Sequence, residues 1–137
     1  MTTSISETAE ELIRREAAAL GFDVCRFARV ADAWPAGSRL AEFVEAGRHG
    51  EMGWMEETRE RRSHPNAMWA DARSAIMLGV NYGPDIDPLL QLADPTRAAI
   101  SVYAQGDDYH ELIKKRLKAL ARWLQDRLGG ELKVFVD

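Results

Sequence analysis

The spacing of apolar residues predicts two helices in the first third of the chain. Ser4 with Glu7 three positions later is typical of a capping box, and apolar residues then recur at helical intervals until Gly21. A second, shorter helix is expected to begin at Ser38, a residue type suited to the N-cap, and to end at Gly47.

Apolar segments of strand length occur at Phe22–Ala28, Ala75–Val80, Ala98–Ala104 and Val134–Val136. The run Ala75–Val80 is apolar without interruption, which favours a central strand buried on both faces of a sheet. Because these segments alternate with helices, we expect an α/β fold with an incomplete sheet flanked by helices. Residues 48–72 are expected to form a connection with short helical turns, and three prolines in 83–96 predict a long irregular loop.

The strongest helical pattern begins after Asp108. This residue and Glu111 are placed to cap a long helix, which Gly129–Gly130 ends. The face expected in the core consists of Leu112, Ile113, Leu117, Leu120, Ala121, Leu124 and Leu128.

The same helix and the residues just beyond it carry seven basic side chains against three acidic ones. The basic residues are Lys114, Lys115, Arg116, Lys118, Arg122, Arg127 and Lys133. Such a set is compatible with the solvated face of an amphipathic helix and with a patch that contacts phosphate groups. Composition alone leaves both interpretations open.

The composition is that of an ordinary globular protein. Its 137 residues fit a single domain, and 46% hydrophobic residues permit a packed core. The net charge of −4 provides no global field for holding polyanions or membranes. No segment approaches the roughly 20 apolar residues of a membrane span, and a single cysteine favours a reducing compartment. We therefore expect a cytoplasmic protein without membrane or DNA partners.

Common catalytic and metal-binding motifs are absent from the sequence. The three histidines are far apart, no cysteines are paired, and no P-loop, G-x-G-x-x-G or G-x-S-x-G motif occurs. The single cysteine, Cys25, lies in a predicted strand among apolar neighbours, where a buried inert thiol is expected. We expect no metal site built from this chain.

Six local motifs run along nearly all of the chain: Leu20–Asp23, His49–Met55, Arg61–Pro65, Asn81–Tyr82, Tyr103–His110 and Phe135–Asp137. In this order they resemble the N-terminal part of epoxyqueuosine reductase, a cobalamin and iron-sulfur enzyme that completes queuosine on transfer RNA. The segments His49–Met55 and Tyr103–His110 are the most specific of the six. The resemblance implies the N-terminal half of a nitroreductase-like cobalamin-binding domain.

The resemblance implies that Asp137 is the catalytic proton donor. Reduction of an epoxide to an alkene expels the oxygen, which a neighbouring carboxylic acid can protonate. Such an acid needs a raised pKa, which burial beside the corrin and the substrate would provide. Its place after a predicted strand also fits the usual location of sites in α/β folds. In the chain by itself, we expect Asp137 to be an exposed terminal residue.

The resemblance also implies that Tyr109, His110, Glu51, Met52 and Trp54 line the cofactor or substrate pocket. From the residues alone, the favoured interpretation of Tyr109 and His110 is an ordinary first helical turn that Asp108 caps. The alternative for Met52 and Trp54 is core packing, with Glu51 at the surface.

Two positions depart from the family's pattern. Val102 and Asp107 stand where members usually have arginine. If those arginines contact phosphate, their absence favours a divergent cobalamin-dependent reductase of a small molecule. A stand-alone corrinoid- or RNA-binding module is a further alternative.

The resemblance places the family's cluster-binding cysteines beyond residue 137. Residues 1–137 are therefore expected to be one domain, truncated before the iron-sulfur domain and inactive alone. The implied cofactors are cobalamin and iron-sulfur clusters, and the implied partner is transfer RNA carrying epoxyqueuosine. An exposed strand edge at Val134–Val136 predicts self-association.

Overall fold

A computed structural model describes residues 7–136 of the chain, which contain six α-helices and two β-strands. The helices are α1 (Ala9–Ala19), α2 (Ala36–Glu45), α3 (Trp54–Glu57), α4 (Arg59–Ser63), α5 (Pro65–Met68) and α6 (Tyr109–Leu128). The strands are β1 (Val24–Arg29) and β2 (Ser74–Gly79), and the 3-10 helices Pro88–Ala93 and Val102–Ala104 follow β2. This order confirms the predicted mixed α/β class.

The two strands pair as an antiparallel sheet. At one end the Asp23 backbone N donates to Gly79 O at 2.9 Å, and at the other the Val30 N donates to Arg73 O at 2.9 Å. Both strands agree with the predicted segments to within a residue or two. The expected burial of β2 on both faces is wrong, since Met77 is 55% exposed. A sheet of two strands has no central strand.

The described chain forms two compact units, one built from residues up to Cys25 and from Leu78 onward, and the other from Arg26–Met77. In the first unit α1 packs against α6. The core of this unit consists of the buried residues Ile13, Ala17, Phe22, Cys25, Leu120 and Leu124.

The predicted core face of α6 is confirmed at its middle and wrong at its ends. Leu120 and Leu124 are 3% and 6% exposed, whereas Leu112 and Leu128 are 49% and 44% exposed. Because α1 has 11 residues and α6 has 20, α1 covers only about half the length of α6.

The start of α1 differs from the prediction. The cap is Thr8, whose Oγ1 accepts a hydrogen bond from Glu11 N at 3.2 Å while Glu11 Oε2 accepts one from Thr8 N at 2.8 Å. Ser4, the predicted cap, lies outside the described residues. The capping-box pattern occurs twice in succession in the sequence, and the helix begins after the second copy.

The second unit contains α2 to α5, and its short helices confirm the predicted character of residues 48–72. Its α2 packs against α4. Gly37 permits this approach, because a Cβ there would lie 2.5 Å from Ser63 O. The helix α2 begins after Pro35 rather than at the predicted Ser38, whose Oγ donates to Pro35 O at 3.0 Å from inside the first turn.

Two predicted strands are wrong. In Ala98–Ala104 the Gln105 side chain donates to Ile100 O at 2.9 Å, and residues 102–104 form a 3-10 turn. Residues 131–136 form no regular element, with Val134 43% and Phe135 59% exposed. A strand requires a partner for its backbone groups, and neither segment pairs with β1 or β2. The self-association expected from a strand edge at Val134–Val136 therefore loses its basis.

The segment 83–96 is more regular than predicted. Pro88 is the first residue of a 3-10 helix, and Asp87 caps it by accepting a hydrogen bond from Leu89 N at 2.9 Å. Proline suits the first position of a helix because its missing N–H needs no partner there. Three leucines of this helix remain more than three-fifths exposed, at 64% to 68%.

Candidate functional site

The first turn of α6 brings together two of the predicted pocket residues, Tyr109 and His110. Their rings stack with centroids 4.1 Å apart and planes at 24°. Asp108 Oδ1 accepts a hydrogen bond from the His110 backbone N at 2.9 Å and lies 2.7 Å from His110 Nδ1. The hydrogen bonds from the His110 side chain and then from its backbone lower the pKa of Asp108. The ionised aspartate therefore caps the helix and also orients the imidazole, which is half exposed.

The other three predicted pocket residues lie close together in sequence, with Glu51 and Met52 in the turn before α3 and Trp54 at its first position. Glu51 is exposed, and Met52 and Trp54 are 44% and 48% exposed. The Arg62 guanidinium lies 4.6 Å from the centroid of the Trp54 ring, a cation–π arrangement. Core packing of Met52 and Trp54 is therefore wrong for this unit, since both present apolar surface.

His49, before the same turn, is a candidate residue that no sequence pattern predicted. Its side chain is 13% exposed, and its Nε2 lies 3.9 Å from Glu56 Oε2. Its Nδ1 is buried and has no hydrogen-bond partner among residues 7–136. Buried ring nitrogens in native proteins nearly always have partners, so this one marks the turn as a candidate binding element. Its only signal in the sequence was its place at the start of the motif His49–Met55.

The motif Leu20–Asp23 has a structural role. Gly21 has a φ of +89° just after α1, and its carbonyl oxygen accepts a hydrogen bond from Arg116 Nη1 at 2.9 Å. Asp23 Oδ2 accepts one from the Asn81 backbone N at 2.7 Å, where the chain leaves β2. Two of the six motifs thus meet here, and they join the end of α1 to α6 and to the end of β2. Arg116 therefore makes a structural contact and does not belong to the exposed basic side of α6.

The predicted proton donor, Asp137, lies outside the described residues. Of the two departures from the family's pattern, Val102 is half-buried in its 3-10 helix and Asp107 is exposed immediately before the α6 cap. Asp107 adds a second carboxylate at the positive end of the helix dipole. This charge opposes phosphate binding at the first turn of α6.

The part of the chain from residue 7 to 136 holds no group of three or more His, Cys, Asp or Glu side chains placed to bind a metal ion. Cys25 is 7% exposed, which confirms its predicted burial. Among the helices of that part, none combines the length and apolar character needed to cross a bilayer.

The comparisons with known proteins agree with one another. Residues 62–137 match the family described as epoxyqueuosine reductase QueG, DUF1730. A protein named epoxyqueuosine reductase from Cellulophaga algicola is 36% identical over 123 residues, covering 90% of this chain and 39% of that relative. The proteins of the same name from Cyclobacterium marinum and Pseudomonas aeruginosa are 31% and 39% identical, covering 98% and 73% of this chain.

The chain spans 28% to 43% of the length of these three relatives. No solved structure matches it. The matched region begins at Arg62 in α4 and contains the motifs Asn81–Tyr82, Tyr103–His110 and Phe135–Asp137. Since the family match extends over more than half of the chain, the chain belongs to the epoxyqueuosine reductase family.

Proposed function

We propose that the protein carrying this chain reduces epoxyqueuosine to queuosine in transfer RNA, and that the chain is the N-terminal part of its cobalamin-binding domain. The observation that supports this most directly is the family match over residues 62–137, which includes Tyr109, His110 and Asp137. A cytoplasmic location is part of the proposal, in keeping with the single buried cysteine.

The two proposed cofactors differ in how they fit the described residues. Iron-sulfur clusters need several cysteine thiolates, and the one cysteine here is buried, so they are assigned to parts of the protein outside this chain. A corrin ring needs flat apolar surface. The exposed Met52 and Trp54 offer apolar surface, and the Tyr109–His110 stack offers a flat aromatic face. A bound cobalamin would supply the electrons that open the epoxide.

The reaction assigns distinct tasks to the residues of this chain. Conversion of an epoxide to an alkene consumes two electrons and two protons and releases the oxygen as water. Asp137 is proposed to transfer a proton from its carboxyl group to the epoxide oxygen as the first C–O bond breaks. Solvent supplies the second proton as the remaining C–O bond breaks and the oxygen leaves as water. His110 is proposed to position the substrate, because the ionised Asp108 holds its ring in one orientation. Glu51, Met52 and Trp54 are proposed to form a wall of the pocket.

The first experiment is an absorbance spectrum of the full-length gene product, expressed anaerobically with cobalamin supplied. We expect corrin and iron-sulfur absorbance to copurify, and the protein to convert transfer RNA bearing epoxyqueuosine. A colourless, stable protein without extractable corrinoid would refute the proposal.

Asp137→Asn tests the proton donor, with Asp71→Asn as the matched control at an exposed turn. The first variant should lose at least about 100-fold in turnover while it retains corrin absorbance, which is the usual scale of general acid catalysis. The control should retain wild-type turnover. Equal turnover of the two variants would refute the assignment of Asp137.

The two alternatives make different predictions. The binding-module hypothesis is not favoured, because the relatives carry the name of a reductase. A small-molecule reductase would hold cobalamin but would not bind the modified transfer RNA more tightly than unrelated RNA.

A further inference from the structure

A band of positive charge runs along the exposed side of α6. Lys114, Lys118 and Arg122 follow one another at intervals of one helical turn, and Lys115 lies beside them. At 3.6 residues per turn the four positions share roughly 100° of the helix circumference. All four residues are exposed, and with Glu111 they line a groove of about 240 Å³.

Little of this charge is neutralised by neighbouring carboxylates. Glu111 Oε1 lies 3.8 Å from Lys114 Nζ, and an exposed pair of this kind holds its partners weakly. Lys115, Lys118 and Arg122 form no ion pair with any residue in the described part of the chain. The band is therefore a local cationic surface in a chain whose net charge is −4.

The middle of the opposite face of α6 is already committed to the fold. Leu120 and Leu124 are buried in the core, and Arg116 donates to Gly21 O. The band therefore has no apolar stripe that could enter a lipid surface, as a membrane-binding amphipathic helix requires. A polyanion that makes polar contacts only is the partner that this surface fits.

We propose that Lys114, Lys115, Lys118 and Arg122 form a docking surface for the phosphate backbone of RNA. The choice of RNA among polyanions rests on the proposed function, whereas the surface itself rests on the geometry of α6. The helix rises about 12 Å from position 114 to position 122, so the cations can reach several successive phosphates. Contacts of this kind position a nucleic acid and carry no sequence information.

The charge distribution along α6 also determines where the RNA backbone crosses this helix. Asp107, Asp108 and Glu111 occupy or precede the first turn of α6 and repel phosphate there. The cations begin at the following turn. The RNA backbone is therefore expected to cross the second to fourth turns, away from the Tyr109–His110 stack.

The test uses the full-length gene product and a fluorescein-labelled RNA stem-loop that lacks the modified base, so binding is read without turnover. The band variant is Lys115→Gln, Lys118→Gln and Arg122→Gln together, since glutamine keeps the helix propensity of lysine and arginine. The matched control is Arg39→Gln, Arg48→Gln and Arg73→Gln, three exposed arginines in the other compact unit. Both variants change the net charge equally.

The binding constant is measured by fluorescence anisotropy across a salt series. The band variant should bind at least about tenfold more weakly, and its plot of log K against log salt should be shallower by about 2–3, because three phosphate contacts are lost. The control should match the wild type in both quantities. Equal loss in the two variants, an unchanged slope, or band-dependent binding to phosphatidylserine vesicles without RNA binding would each overturn the proposal.

Turnover on RNA bearing epoxyqueuosine separates this inference from the proposed function. A wild-type protein that is inactive but binds RNA through the band would refute the function and support the docking surface. An active protein whose RNA binding is indifferent to the band would refute the docking surface alone.

Discussion

Arg116 and Lys118 carry the same charge and lie two positions apart on α6, but they have different roles in the structure. Arg116 Nη1 donates to Gly21 O at 2.9 Å, and its Cζ lies 2.9 Å from the point that a Cβ on Gly21 would occupy. Hydrogen bonds from charged donors contribute about 1.5–3 kcal/mol, and we expect about 1–2 kcal/mol here because the side chain is half-buried. Arg116→Gln should therefore lower the free energy of unfolding by that amount.

The assay is urea unfolding and thermal melting of the chain, with Lys118→Gln as the matched control on the same helix. Arg116→Gln should lower the melting temperature by about 3–8 °C. The control lies in the exposed band and should stay within about 0.5 kcal/mol of the wild type. Conversely, Arg116→Gln should leave the salt dependence of RNA binding unchanged.

A double-mutant cycle with Gly21→Ala sharpens the test. The new methyl group displaces the Arg116 guanidinium, so the substitution costs both the strain of a positive φ and the hydrogen bond. In the Arg116→Gln background only the strain remains, and Gly21→Ala should cost about 1–2 kcal/mol less. Equal costs in the two backgrounds, or equal stabilities of Arg116→Gln and Lys118→Gln, would refute the reasoning.

Four further substitutions test the fold. Leu120 is 3% exposed, so Leu120→Ala should lower the free energy of unfolding by about 2–5 kcal/mol. Leu90 is 64% exposed, so Leu90→Ala should change it by less than about 0.5 kcal/mol. Similar losses of the two variants in urea unfolding would contradict this core. Hydrogen bonding lowers the pKa of Asp108 in the folded protein. Its carboxylate therefore stabilises the fold at any pH above the ordinary carboxyl pKa of about 3.9. This stabilisation is lost as the pH falls through the lowered pKa of the folded state. The urea midpoint of Asp108→Asn should thus lie below that of the wild type at pH 7 and approach it below about pH 4, and a constant difference would argue against the cap. Asn66→Asp should cost about 1–3 kcal/mol, because the Asn66 amide donates to three backbone carbonyl oxygens after α5, at 2.9, 3.1 and 3.4 Å, and a carboxylate would repel them. An unchanged urea midpoint would show that the amide does not hold this turn.

Parts of the candidate site were predictable because their signals are local. Asp108 two positions before His110 is an N-cap pattern, and the cap geometry then brings the carboxylate to the imidazole. The rings of Tyr109 and His110 stack because the two residues are adjacent in the sequence. The cation–π contact of Arg62 with Trp54 joins two short helices, α3 and α4, and the burial of His49 depends on packing in its unit. Neither of these two features has a sequence pattern of its own.

The elements that local interactions stabilise could be predicted from the sequence. The long helix from Tyr109 to Leu128 forms where periodicity, cap and terminal glycine agree, and the motifs along the chain identified its family. Strand pairing could not be predicted from the sequence. The segments Ala98–Ala104 and Val134–Val136 have the apolar content of strands but are not strands in the structure.

Tertiary packing determines which member of a set of like residues has which role. Arg116 joins the end of α1, whereas Lys118 faces solvent, because one helical face lies against α1 and the other does not. Leu120 is buried and Leu112 is exposed for the same reason, since α1 is too short to cover both. A residue's type and its position in the helical repeat are local properties, but the neighbour that it meets depends on how distant segments pack.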